Sequence, residues 1–194
     1  MRRRQRGLQF YRKKKGLSMQ AVKEVFSWIV LSVLAVFLAF MVIWAVGLRT
    51  NMIGVSMEPG LTNGQGILVN RLKYRFFSPQ TGDVVVFLPN GNQNAHYYVK
   101  RVVAVPGQTV LIQDGILYID GKAQENEEMD LIASAGIAEN EIKLGRDEYF
   151  VLGDNCNNSE DSRSANVGSV LRSTIVGEAW FHFGNGTDGW GLIH

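Results

Sequence analysis

From Val25 to Leu48 the chain runs for 24 residues without a charged side chain. As a helix rising about 1.5 Å per residue, such a run reaches about 36 Å, enough to cross a bilayer with some tilt. It divides the chain into a basic arm at 1–24, an anchor at 25–48 and a body at 49–194 that must fold by itself. Trp28 and Trp44 stand near the two ends of the run, where aromatic belts meet the membrane surface.

Charge gives the anchor a direction. Residues 1–24 carry nine basic side chains against Glu24, a net +8, whereas the rest of the chain sums to −6. A basic cluster abutting an apolar span is held in the cytoplasm and attracted to anionic lipid, so it is read as a membrane feature and not as a nucleic-acid-binding arm. Only Arg49 flanks the far end. The chain is therefore predicted to cross the cell membrane once, with its N-terminus cytoplasmic and residues 49–194 outside. Ala45-Val46-Gly47 offers small residues for removal as a signal peptide, but the run far exceeds the roughly 7–15 residues of a signal core. The anchor is expected to stay uncleaved.

The body reads as short strands broken by turns. Gly66–Asn70, Asp83–Leu88, Tyr97–Val105, Thr109–Gln113, Ile116–Asp120, Glu148–Leu152 and Ile175–Phe183 are rich in Val, Ile, Phe and Tyr. Asp114-Gly115 predicts a tight hairpin of the type that needs φ > 0 at both central residues, and Asp120-Gly121 closes the next strand similarly. Residues 123–147 read as an insertion or loop with one short helical turn. The expectation is a mainly β, antiparallel domain behind one transmembrane helix.

Cys156 is the only cysteine, which excludes an internal disulfide and a cysteine-rich metal site. His96, His182 and His194 show no ligand-like spacing and no nucleophile-elbow context. No metal and no organic cofactor is implied. What remains is Ser56, eight residues beyond the apolar run, and Lys100, set between Tyr97-Tyr98-Val99 and Val102-Val103-Ala104-Val105. A serine hydroxyl needs a base. Lysine can be that base if burial among apolar groups lowers its pKa from about 10.4. Strand alternation puts Lys100 and Arg101 on opposite faces, one toward the core or site, the other toward solvent or a carboxylate.

Three ordered motifs carry a specific resemblance. Gly54-Val55-Ser56-Met57-Glu58-Pro59 resembles the serine box of type I signal peptidases. Lys100-Arg101-Val102-Val103-Ala104-Val105-Pro106-Gly107 resembles their lysine box. The stretch from Gly153-Asp154-Asn155 to Ser159-Glu160-Asp161-Ser162-Arg163 resembles their third conserved box. The single anchor and compact body look like the Gram-positive form.

The resemblance implies a membrane-anchored serine endopeptidase that removes signal peptides from secreted preproteins. Ser56 would be the nucleophile, its backbone N–H an oxyanion donor, and Lys100 the general base. Ser159 would hydrogen-bond and orient Lys100. Asp161 and Arg163 would pair, Asp154 would support the same turn, and Met57 would line a small apolar substrate pocket. Signal peptides, the lipid bilayer and the protein export machinery are the implied partners. Three departures stand out: Gly54 where some members carry serine, Gly60 where threonine is common, and Cys156 where a basic residue is frequent. Self-cleaving Ser-Lys repressors resemble this catalytic fold, but the span and the lack of a helix-turn-helix pattern argue against them. An inactive anchored β-domain acting as a binding or assembly module is the alternative reading.

Overall fold

A computed structural model describes residues 18–92, 94–124, 131–184 and 189–193. It begins with helix α1, Met19–Val46. Ser18 caps it, its Oγ accepting the Ala21 N–H at 3.1 Å, as short polar side chains do for the unpaired donors of a first turn. Among the described residues, α1 is the one helix long and apolar enough to cross a membrane, and none of its apolar span is buried in protein. Phe26, Trp28, Val33, Phe37 and Phe40 are all exposed. A helix apolar all round suits the interior of a bilayer.

The body is a second unit. Its strands among the described residues are β1 Leu48–Asn51, β2 Gly66–Asn70, β3 Val84–Phe87, β4 Tyr98–Ala104, β5 Thr109–Gln113, β6 Ile116–Ile119, β7 Lys122–Ala123, β8 Ile142–Lys143, β9 Glu148–Leu152, β10 Val170–Leu171, β11 Ile175–His182 and β12 Gly191–Leu192; a single-turn helix, α2, spans Lys73–Phe76. The larger sheet has the order β1-β2-β11-β3-β4-β9-β10, with β12 also on β11, and the smaller has β7-β6-β5-β8. All the pairings are antiparallel. Leu48, expected to end the anchor, instead opens β1 opposite Val69.

The central strand shows why the large sheet is stable. Every residue of Val84-Val85-Val86-Phe87 is buried. Val84 and Val86 join one apolar cluster with Met52, Met57 and Val99, whereas Val85 and Phe87 join another with Val102, Tyr149 and Val151. A continuous apolar run suits a strand covered on both faces. The small sheet packs Val110, Ile112, Leu117 and Ile119 against Phe150 and Leu152. Its hairpin turns where predicted: Asp114 and Gly115 have φ of 53° and 79°, the left-handed pair this turn requires. Asp120 and Gly121 repeat it at 51° and 73°.

The expected loop at 123–147 is more structured than its composition suggests. Residues 125–130 lie outside the described residues, but beyond them Ile132, Ala138 and Leu144 enter the core of the small sheet. The anticipated helical turn is a 3-10 turn at Gly136–Glu139. Gly136 sits at φ +57°, and a Cβ there would fall 2.2 Å from the Arg163 carbonyl oxygen. That close approach lets Ile137 N–H bond the same oxygen at 2.9 Å. The segment is thereby tied to the third motif.

Candidate active site

The loop between β1 and β2 carries Ser56, and β4 carries Lys100. Ser56 is 8 % exposed and Lys100 4 %. Lys100 Nζ stands 2.6 Å from Ser56 Oγ, in hydrogen-bond contact. Its ammonium also lies 5.6 Å from the centre of the Tyr98 ring. Burial pushes the Lys100 pKa down from 10.5 to about 8, against the opposing pull of Asp161, Glu160 and Asp154. Desolvation disfavours the charged form, and it outweighs the nearby carboxylates here. The pair is thus a hydroxyl in contact with an amine that is partly neutral near pH 8.

Met57 does not have the position expected of it. It is 0 % exposed and packs among Met52, Leu61, Ile67 and Val69. Burying such a side chain stabilises by about 2–3 kcal/mol. Met57 therefore pins the Ser56 loop to the core and presents no surface to a substrate. The exposed apolar side chains beside Ser56 are Ile53 and Val55, which the alternation of one loop gave no means to distinguish.

Asp154 and Arg101 form the first supporting pair. Arg101 Nε and Nη2 each donate to the Asp154 carboxylate at 2.8 Å, and Nη1 donates to Gly82 O. The carboxylate anticipated for one member of the Lys100-Arg101 pair is thus Asp154. The Gly60 departure is coupled to it: a Cβ at Gly60 would sit 3.3 Å from Asp154 Oδ2. Glycine there leaves the carboxylate room to meet Arg101.

Asp161 and Arg163 form the second. Arg163 Nε and Nη2 donate to the two Asp161 oxygens at 2.8 and 2.9 Å, and Gly153 N–H donates to Asp161 Oδ2. Arg163 also donates to the carbonyls of Ser134 and Cys156. The two residues are 1 % and 7 % exposed. Removing either would leave an uncompensated buried charge, at a cost of about 3–5 kcal/mol. Cys156 is packed beneath them, its Sγ–H donating to Gly153 O. Burial pushes its thiol pKa up, the opposite of what a nucleophilic cysteine requires.

Ser159 departs from expectation in its bonding. Its Oγ is buried and has no hydrogen-bond partner among the described residues, so it does not hold Lys100. It is instead packed against Gly153. A Cβ on Gly153 would lie 2.4 Å from both Ser159 Oγ and the Ser56 carbonyl oxygen. The bare Gly153 backbone is what lets the third motif close on the serine loop. Asn155 completes the contact, donating its N–H to Ser56 O at 3.1 Å and its Nδ2 to Val55 O at 3.2 Å. Gly153→Ala is expected to cost about 1–3 kcal/mol by overpacking and to lower kcat at least tenfold. Thermal melts and initial rates on the full chain check both.

Sequence reasoning missed the positional roles of Gly153, Asn155 and the carbonyls that bind Arg163. Gly153 had one available signal, a glycine ending a strand-like run, which marks a close backbone approach. Gly54 is at φ +84° with open space where a Cβ would stand, and its N–H donates to Asn63 Oδ1. A serine there would have to hold left-handed backbone, at a cost of about 1–2 kcal/mol. The Ser56 backbone N–H has no partner among the described residues. Neither histidine within the described residues touches Ser56 or Lys100: His96 is exposed, and His182 bonds Gln65.

Comparison with known proteins agrees with the motifs. Residues 25–183 match the family described as signal peptidase, peptidase S26. A signal peptidase IB of Staphylococcus aureus is 32 % identical over 183 residues, 83 % of this chain and 90 % of its own. A probable signal peptidase I-1 of Synechocystis is 35 % identical over 134 residues, 66 % of this chain and 66 % of its own. A solved structure of a signal peptidase I from Enterococcus faecalis aligns with 53 % of this chain and 97 % of that one, at 26 % identity and a TM-score of 0.43.

Proposed function

The chain belongs to the signal peptidase I family of serine peptidases, and from that membership we propose that Ser56 and Lys100 carry out its removal of signal peptides. The observation that carries the reading is the 2.6 Å contact between Ser56 Oγ and the buried Lys100 Nζ. Neutral Lys100 takes the Ser56 proton as Oγ attacks the carbonyl at the end of the signal peptide. The Ser56 N–H, which has no partner among the described residues, donates to the developing oxyanion. Position 54 is glycine and supplies no hydroxyl to that stabilisation. The lysine ammonium then protonates the leaving amine; the neutral amine so regenerated takes a proton from the water that attacks the acyl-enzyme and returns it to Ser56 Oγ as the ester bond breaks. Asp161, Arg163, Asp154 and Ser159 act by holding the backbone around the pair.

The bilayer supplies the other half of the mechanism. In this reading residues 1–24 remain in the cytoplasm, α1 crosses the membrane and the β-domain works outside it, at the surface where signal peptides emerge from the export machinery. Sharing a membrane raises the effective concentration of enzyme and substrate. Phe76 and Phe77 are 74 % and 66 % exposed and directly follow Arg75, with Arg71 one helical turn earlier in the chain. Exposed aromatics with cationic neighbours suit contact with an anionic lipid surface.

The test uses the full chain in vesicles containing anionic lipid, with a preprotein substrate. The mature N-terminus should appear. Phe76→Ser with Phe77→Ser should slow cleavage severalfold in vesicles and little in detergent micelles. Intact preprotein with the unaltered enzyme would contradict the reading, and equal slowing in both media would contradict the lipid contact.

A further inference from the structure

The loop bearing Ser56 leaves at Met52 and returns at Gln65. Its ends are bonded to each other, Met52 N–H to Gln65 O and Gly64 N–H to Met52 O, both at 2.8 Å. At this closure the Gln65 side chain is only 1 % exposed. Its Oε1 accepts the Thr62 N–H at 3.0 Å, and its Nε2 lies 2.7 Å from His182 Nδ1. The Thr62 N–H can only donate, so it fixes which end of the amide is oxygen. That leaves the Gln65 NH2, a donor, facing the ring. His182 Nδ1 must therefore accept, and the neutral ring carries its proton on Nε2. Space for the ring is kept by Gly191, the β12 residue opposite His182. A Cβ at Gly191 would fall 2.8 Å from Nε2.

We infer that the Gln65–His182 bond is a latch that positions the serine loop, making both residues positioning residues for catalysis. The inference rests on Ser56 being the nucleophile. His182 is the last residue of β11 and pairs with Ile67 of β2, so it is anchored in the large sheet. The bond ties the loop's closing residue to that sheet. Inside the loop, Leu61 N–H bonds Met57 O and Gly54 N–H bonds Asn63 Oδ1, so movement at the closure is passed along to Ser56. A serine displaced by a fraction of an ångström from Lys100 loses rate and keeps its affinity for substrate.

The experiment compares His182→Leu, His182→Asn and Ser56→Ala in the full chain, with kcat and KM measured separately. His182→Leu should lower kcat about tenfold or more at nearly constant KM. His182→Asn should recover most of that loss, because the asparagine amide oxygen takes the place of Nδ1 as an acceptor. Nitrogen-15 spectra of the unaltered enzyme should show His182 with a bare Nδ1 and a protonated Nε2. Activity in Ser56→Ala would overturn the nucleophile assignment itself. With Ser56→Ala inactive, a wild-type kcat in His182→Leu overturns the latch alone. So does a protonated Nδ1, or a folded His182→Asn as slow as the leucine variant. If His182→Leu fails to fold, the asparagine variant and the spectrum decide.

Discussion

Ser56→Ala in the full chain is expected to reduce cleavage of a signal-peptide substrate by about 10⁴-fold or more, to background. The substitution removes one hydroxyl, whose partner is the buried Lys100 Nζ, and leaves the backbone contacts of residue 56 in place. The Asn155 N–H still reaches the Ser56 carbonyl, and Met57 still fills its place in the core. The thermal midpoint should fall by only a few degrees, the cost of leaving the buried amine without its hydroxyl partner. Initial rates and a melt on the same sample check the pair of outcomes. Measurable turnover by the alanine variant would remove Ser56 from the chemistry. A large loss of stability would mean that the hydroxyl is structural.

Lys100→Met has an equally large effect on rate and an opposite effect on stability. Without the amine no group is placed to take the serine proton, and cleavage should again fall to background. The buried lysine is also a burden on the fold. Its pKa drops from 10.5 to about 8 because burial disfavours the ammonium. Below pH 8 both folded and unfolded chains hold the proton, and the folded state bears the full cost of the buried charge, about 3 kcal/mol. Between pH 8 and 10.5 the unfolded chain holds a proton that the folded chain has released, so stability rises with pH through that window. Methionine removes the charge at similar volume. The variant should be more stable than the unaltered protein at pH 7 by up to about 3 kcal/mol, and the gain should vanish as pH passes 10.5. Melts at pH 7 and pH 10 check the sign; a methionine variant less stable at pH 7 would contradict a desolvated ammonium.

Local pattern made much of this fold legible. The anchor, the all-apolar strand at Val84–Phe87 and the two Asp-Gly turns rest on periodicity, run length and backbone sign, which are properties of neighbouring residues. Ser56, Lys100 and the Asp161–Arg163 pair were legible because three motifs occur in order. What was hidden depends on contacts between distant segments. Nothing in Gly54-Val55-Ser56-Met57 says that Met57 turns inward while Val55 remains exposed. Residues 131–144 look like a loop because their apolar side chains are spaced by no regular period, yet Ile132, Ala138 and Leu144 are core. Ser159 was expected on Lys100 and is instead packed against Gly153, a contact between residues six apart that no local pattern announces. The short strands β7, β8, β10 and β12, each two residues long, exist only through their partners.

The central claim is that a desolvated lysine, and no histidine, activates Ser56. The most direct measurement is kcat/KM for a signal-peptide substrate against pH, from 6 to 10, with the full chain in one detergent. The account predicts a single ascending limb, tenfold per pH unit at the acid end and half-maximal near pH 8, because kcat/KM reports the free enzyme's base. A limb that turns over near pH 6.5, the range of a histidine, or a rate independent of pH, would contradict it.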